Sequence, residues 1–213
     1  MNIVFQHVMP NPLRSLIHNA DSIWGKEFSL LKGQKVLLNA TSGKGKSTFS
    51  GTLFGIRKDF EGSLLFDEKD IKKISNLDWS NIRKEKLSIV FQDLQLFQNL
   101  TVAENLLLKN NLTETFDVLE IKAMVDRLGI IDKWDVKCSY LSMGQQQRVA
   151  IIRALLQPFE WLILDEPFSH LDVENSNICL GLINERCSQL NAGFILTSLG
   201  SDHDFSFDVE LKL

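Results

Sequence analysis

Three cysteines are all that the 213 residues contain, and Cys138, Cys179 and Cys187 lack metal-ligand spacing. An odd count without a signal peptide fits reduced structural thiols rather than a disulfide framework. Long apolar runs are also missing, since none reaches the roughly 18 residues that a membrane span needs. The first ten residues, MNIVFQHVMP, lack a basic region followed by a long apolar one. The expectation is therefore a chain that neither spans a bilayer nor carries its own secretion signal. Positive charge is not in excess: a formal charge of -4 gives no general attraction for nucleic acid or anionic lipid. Internal repeats and low-complexity tracts are absent, which argues against a solenoid or a disordered tail.

What is present is ordinary for a globular protein. A hydrophobic fraction of 44% with 23% charged residues supplies one substantial core, with room for an inserted lobe but not for two full domains. Residues 2–8 read as a strand, and residues 27–31 and 35–38 as two more around the Lys32-Gly33-Gln34 turn. Residues 62–66 and 87–91 read as further strands, with a short helix predicted over 78–84 between them. From 93 to 157 the pattern is helical. Thr101 and Glu104 have capping-box spacing, and Val118, Ile121, Val125 and Leu128 mark one face of a second helix before Gly129. Leu94, Leu96 and Phe97 fit either core or a partner groove, with core preferred. Residues 173–190 form a predicted helix with Ile178, Leu182 and Ile183 inward, and strands follow at 194–197 and 209–213.

The strand at 35–38 runs into Ala40-Thr41-Ser42-Gly43-Lys44-Gly45-Lys46-Ser47-Thr48, and a helix of about two turns is predicted to follow, to Leu53. Glycines let backbone amides close around phosphates, Lys46 reaches the terminal ones, and the Ser47 hydroxyl can ligate magnesium. Ser42, Gly43, Lys44, Gly45, Lys46, Ser47 and Thr48 are thus the predicted phosphate cradle. Ala40 stands where the usual pattern has its first glycine.

A second concentration of chemistry occupies residues 141–172, LSMGQQQRVAIIRALLQPFEWLILDEPFSHLD. Ser142, Met143, Gly144 and Gln145 open a helix with Val149, Ile152, Leu155 and Leu156 inward, and the amides of such an opening turn favour a phosphate. After Pro158, Trp161-Leu162-Ile163-Leu164 reads as a buried parallel strand that stops on Asp165 and Glu166. Open parallel sheets bind ligands at that edge. The cradle and the carboxylate pair make a nucleotide triphosphatase site, with Asp165 and Ser47 toward magnesium and Glu166 orienting the attacking water. Gln92, at the end of another strand, can reach either the metal or that water. The helix end at Ser142 is left over. Either a second ligand binds there, or a second copy of the chain presents that end to this copy's nucleotide.

Leu141-Ser142-Met143-Gly144-Gln145, followed by Gln146-Gln147-Arg148-Val149-Ala150, resembles the signature of the ATP-binding cassette ATPases, and Ser169-His170-Leu171-Asp172 resembles their D-loop. The resemblance covers essentially the whole chain. It implies a P-loop NTPase α/β core with a mainly parallel sheet, an antiparallel β subdomain and an inserted helical subdomain. The implied division is a single cassette over 1–213, with a nucleotide-binding core at 1–93 and 158–213 and a helical lobe at 94–157. Two cassettes, homo- or heterodimeric, would sandwich ATP and Mg2+ head to tail. Gln92 would sense magnesium and a membrane transporter subunit, and Glu166, Gln92 and Lys46 would be catalytic. Ser142, Gly144 and Gln145 would face the partner's nucleotide, Asp172 would couple the two sites, and Ser47, Gln92 and Asp165 would serve the metal. The expected place is the cytoplasmic face of a membrane, held there by the partner, with no nucleic acid involved. The run QQQRVAIIRAL is most similar to the short cassettes of lipoprotein-release and macrolide-export systems.

Four departures from that family stand out. Ala40 replaces the first P-loop glycine, and Met143 replaces the first of two signature glycines. Ser198 follows Thr197 where the family has a switch histidine, and a serine cannot carry its positive charge; His203 is not taken as its replacement. No Phe, Tyr or Trp occurs between Val8 and Pro12, where an aromatic usually stacks on adenine. An ATP-hydrolysing motor, an ATP-dependent regulatory module with slow or absent hydrolysis, and the degenerate half of a heterodimeric pair are all compatible with this pattern.

Overall fold

The structure is a computed structural model describing residues 1–41, 43–198 and 205–213. Four strands, β1 (Ile3–Pro10), β2 (Glu27–Leu30), β4 (Phe60–Phe66) and β5 (Lys69–Asp70), form an antiparallel sheet in the order β2-β1-β4-β5. Five others, β3 (Lys35–Asn39), β6 (Leu87–Val90), β7 (Trp161–Asp165), β8 (Gly193–Ser198) and β9 (Val209–Lys212), form a parallel sheet in the order β6-β7-β8-β3-β9. The helices are α1 (Lys46–Leu53), α2 (Asn76–Glu85), α3 (Val102–Asn110), α4 (Val118–Arg127), α5 (Met143–Leu155) and α6 (Val173–Leu190).

The parallel strands are apolar without alternation because both faces are covered. On β7, Trp161 and Ile163 enter one hydrophobic cluster while Leu162 and Leu164 enter another, and β3 divides Val36 and Leu38 from Leu37 in the same way. The first cluster lies between the two sheets and takes in Ile3, Phe5, Leu30, Leu64, Phe49 and Trp79. The other lies under α3 to α6, with Val102, Leu106, Ile121, Val125, Ile151, Leu155 and Ile183 fully buried. Complete burial of each such side chain contributes about 1.5–3 kcal/mol, so the alternation within each strand welds both layers to one sheet. Cys138, Cys179 and Cys187 are free and buried, as expected for structural thiols, and burial pushes the Cys179 and Cys187 thiols up to about 12.

The turn at 32–34 joins the two sheets instead of closing a hairpin. β2 alternates and belongs to the antiparallel sheet, whereas three consecutive buried residues on β3 demand a strand covered on both sides. Thr101 and Glu104 make the anticipated capping box. Ile121, Val125 and Leu128 are buried, but Val118 is 46% exposed because it lies on the first, outward turn of α4. Leu94 and Leu96 are core residues, while Phe97 is 58% exposed. Among the described residues no helix is long and apolar enough to cross a membrane.

Candidate functional site

The C-terminal edge of the parallel sheet brings together the P-loop and the carboxylate pair. β3 leads into it, and α1 leaves from Gly45, whose φ of 104° is a conformation suited to glycine. A side chain at Gly45 would also strike Leu13 Cδ1 at 2.5 Å. Gly43 has φ 78° and open space around it, so backbone freedom alone demands glycine there. Ala40 has no such demand. It lies outside the left-handed region, its methyl joins the inter-sheet core, and its amide donates to the Ser198 carbonyl at 3.2 Å. α1 is anchored by Phe49, stacked on Phe5 with ring centres 5.5 Å apart, and Trp24 Nε1 reaches the Lys44 carbonyl at 3.4 Å. Ser42 and His203 lie outside the described residues.

Lys46 is buried. Its Nζ donates to the Ala40 carbonyl at 2.9 Å and pairs with Glu166 Oε1 at 3.2 Å. Ser47 Oγ donates to Gln92 Oε1 at 3.2 Å and lies beside the Asp165 carboxylate. Thr197 Oγ1 donates to Asp165 Oδ1 at 2.9 Å and accepts from the Glu166 amide at 3.1 Å. Burial raises the Asp165 carboxyl above its ordinary value, against the lowering effect of the Thr197 and Ser47 hydroxyls. Gln92 and Asp165 also line an open cavity of about 510 Å³ with Ser47, Gly51, Arg57 and Asp93. Five predicted residues, Lys46, Ser47, Gln92, Asp165 and Glu166, are thus linked through direct contacts although they come from three stretches of chain.

The Ser142 helix end is not joined to that group: among the described residues, no hydrogen bond or ion pair links 142–145 to 43–48. Ser142 caps α5, and it forms a reciprocal capping box with Gln145, whose Oε1 accepts from the Ser142 amide at 3.0 Å. Met143 stands 46% exposed on the first turn. Gly144 is required by packing, because a Cβ there would lie 2.7 Å from the His170 carbonyl oxygen. Asp172 caps α6, accepting from the Asn175 amide at 2.8 Å, and that bond holds its carboxyl below the ordinary value.

Two residues that sequence reasoning passed over organise these parts. Gln147, 1% exposed, donates to Ser169 Oγ at 2.8 Å and accepts from the His170 amide at 3.0 Å, tying α5 to the loop before α6. Its polar side chain on an otherwise apolar helix face was the available signal. Arg153 donates to the carbonyls of Leu94 and Gln95, each at 2.7 Å. Both of those residues have positive φ, 59° and 49°, so the guanidinium braces a strained turn two residues beyond Gln92.

Comparison with known proteins follows the same lines. A family model described as ABC transporter matches residues 25–169. The lipoprotein-releasing system ATP-binding protein LolD of Buchnera aphidicola subsp. Schizaphis graminum is 37% identical over 184 residues, which cover 84% of this chain and 78% of that one. The macrolide export ATP-binding/permease protein MacB of Campylobacter fetus is 30% identical over 169 residues, 78% of this chain but only 26% of that longer protein. Among solved structures, the dimeric bacterial ABC transporter cassette MJ0796 superposes with a TM-score of 0.82 at 22% identity, over 99% of this chain and 94% of that one. The chain therefore belongs to the ABC transporter family, as one of its ATPase cassettes.

Proposed function

We propose that the protein is the ATP-binding and ATP-hydrolysing subunit of a transporter of the lipoprotein-releasing type, closing head to tail with a second cassette around ATP to drive a membrane partner. The observation that carries this reading is the convergence of Lys46, Ser47, Gln92, Asp165 and Glu166 on one sheet edge. In the proposed division, 1–93 and 158–213 form the nucleotide-binding core and 94–157 the helical lobe.

The amides of 43–48 and the Lys46 ammonium would hold the phosphates. A terminal phosphate would replace Glu166 as the counter-charge of Lys46, which frees the carboxylate to orient and polarise the attacking water. Ser47, Gln92 and Asp165 present only oxygen donors, and these suit a hard cation that keeps several waters. They would hold Mg2+, whose chemistry is to neutralise charge on the phosphate oxygens. Ser142, Gly144 and Gln145 would meet the partner's nucleotide, and Asp172 would couple the two sites. The cassette named as a dimer and the relatives named for lipoprotein release and macrolide export support the dimeric and transport parts of the reading. A groove of about 370 Å³ lined by Phe54, Phe91, Phe97, Leu108 and Leu112 supports docking of the membrane subunit at the cytoplasmic face.

A second reading, a regulatory cassette with slow hydrolysis or one half of a heterodimer, is favoured by Ser198 at the histidine position and by Met143 at the closing surface. Steady-state ATPase turnover, measured on the purified chain and in membranes with its partner, separates the two. Turnover no greater than that of Glu166→Gln in both settings removes the motor and leaves the regulatory cassette.

A further inference from the structure

We propose that Thr197 is a positioning residue for the phosphate site, setting the Asp165 carboxylate and the Glu166 backbone through one buried hydroxyl. The inference rests on the nucleotide reading above and adds a residue to it. Thr197 and Asp165 are register partners on the parallel strands β8 and β7, and the threonine is 1% exposed. Its hydroxyl hydrogen goes to Asp165 Oδ1 at 2.9 Å, which leaves the oxygen free to accept the Glu166 amide at 3.1 Å. Each of the two contacts does separate work.

The first contact selects one oxygen of a carboxylate that would serve Mg2+, leaving the rest of the group to Ser47 and to the metal side of the site. The second holds a backbone turn that a glutamate does not adopt for free. β7 ends at Asp165, so the Glu166 amide leaves the strand ladder, and Glu166 has φ 51° in the left-handed region. The hydroxyl replaces the missing ladder acceptor and keeps the Glu166 side chain aimed at Lys46. A valine at 197 would fill the same volume and lose both bonds, whereas a serine would keep them. On β8, the Thr197 side chain touches both carboxylate-bearing residues.

Binding of fluorescent ATP is measured with Mg2+ and with EDTA, alongside ATPase kinetics, for wild type, Thr197→Val and Thr197→Ser. Loss of a hydrogen bond to a charged group predicts that Thr197→Val keeps its EDTA affinity, while the Mg2+-dependent gain and kcat each fall about tenfold. Thr197→Ser restores most of both, which a role in strand packing alone would not produce. Should Thr197→Val fail to fold, Thr197→Ala carries the same measurements. The proposal is overturned if the valine or alanine variant keeps the Mg2+ gain and kcat within about twofold, since a lost charged hydrogen bond exceeds that. If wild type itself shows no Mg2+-dependent ATP binding, the nucleotide reading fails instead, and the two failures are distinct.

Discussion

Lys46 Nζ and Glu166 Oε1 are 3.2 Å apart, an ion pair between a P-loop lysine and the carboxylate that follows β7, with both side chains largely withdrawn from solvent. Under the proposed function, the residue that would bind phosphate and the residue that would act on water neutralise each other. Terminal phosphate and Glu166 would then compete for one ammonium.

That competition gives the first prediction. Lys46→Ala should weaken Mg-ATP binding by about 100-fold, the loss expected for a partly buried charge contact. Glu166→Gln should bind ATP at least as tightly as wild type, because the competitor is gone, while kcat falls on the order of 100-fold or more. Calorimetric titration and phosphate release check both. Normal ATP binding by Lys46→Ala would mean the P-loop assignment is wrong.

Met143 stands exposed on the first turn of α5, beside a glycine already packed against the His170 carbonyl. If that surface closes on a second cassette, Met143→Gly should let the backbones approach and increase the ATP-induced dimer in a Glu166→Gln background. The substitution should cost no more than about 1 kcal/mol of monomer stability. Sizing by light scattering with and without ATP reads the result; an unchanged dimer fraction would show that the methionine is no obstacle.

Arg153 braces the left-handed pair Leu94 and Gln95 through two bonds of 2.7 Å. Arg153→Ala should lower stability by about 2 kcal/mol in urea unfolding. Arg153→Lys should recover little of it, because an ammonium cannot span two carbonyls as a planar fork does. Full recovery by lysine would reduce the contact to simple charge.

Asp172 caps α6, and the Asn175 amide holds its carboxyl below the ordinary 3.8. A depressed folded value means that the charge stabilises the fold above the unfolded value and that this contribution disappears as pH falls through the folded one. Asp172→Asn keeps a capping oxygen and removes the charge. Wild type should therefore be the more stable near neutrality, and the difference should vanish in acid below the lowered carboxyl value. A gap that persists unchanged at low pH would assign the effect to cap geometry alone.

Much of the site was legible in the chain because its parts are local. A strand, two glycines with positive φ and a helix make the candidate cradle within residues 35–53, and an apolar strand ending on Asp165 and Glu166 needs no distant information. The same holds for the capping box at Thr101, where the partners lie three residues apart. The reading of Phe97 as core fails for the opposite reason: the side chain is 58% exposed, and whether an apolar side chain is covered depends on what folds over it.

What the sequence by itself determined, then, was the element order, the glycine-bearing loop between β3 and α1 and the carboxylates at the end of β7, since each follows from periodicity or from chemistry between near neighbours. Only the tertiary structure decided that the turn at 32–34 crosses between two sheets, that Gln147 ties α5 to residues 22 and 23 positions away, and that Arg153 reaches back 58 and 59 positions to brace the loop after Gln92. It also decided that the hydroxyl of Thr197, 32 residues from Asp165, sits against both carboxylate-bearing residues. Such contacts are set by strand register and helix packing, and no local pattern in the chain encodes which distant polar group a buried side chain will meet.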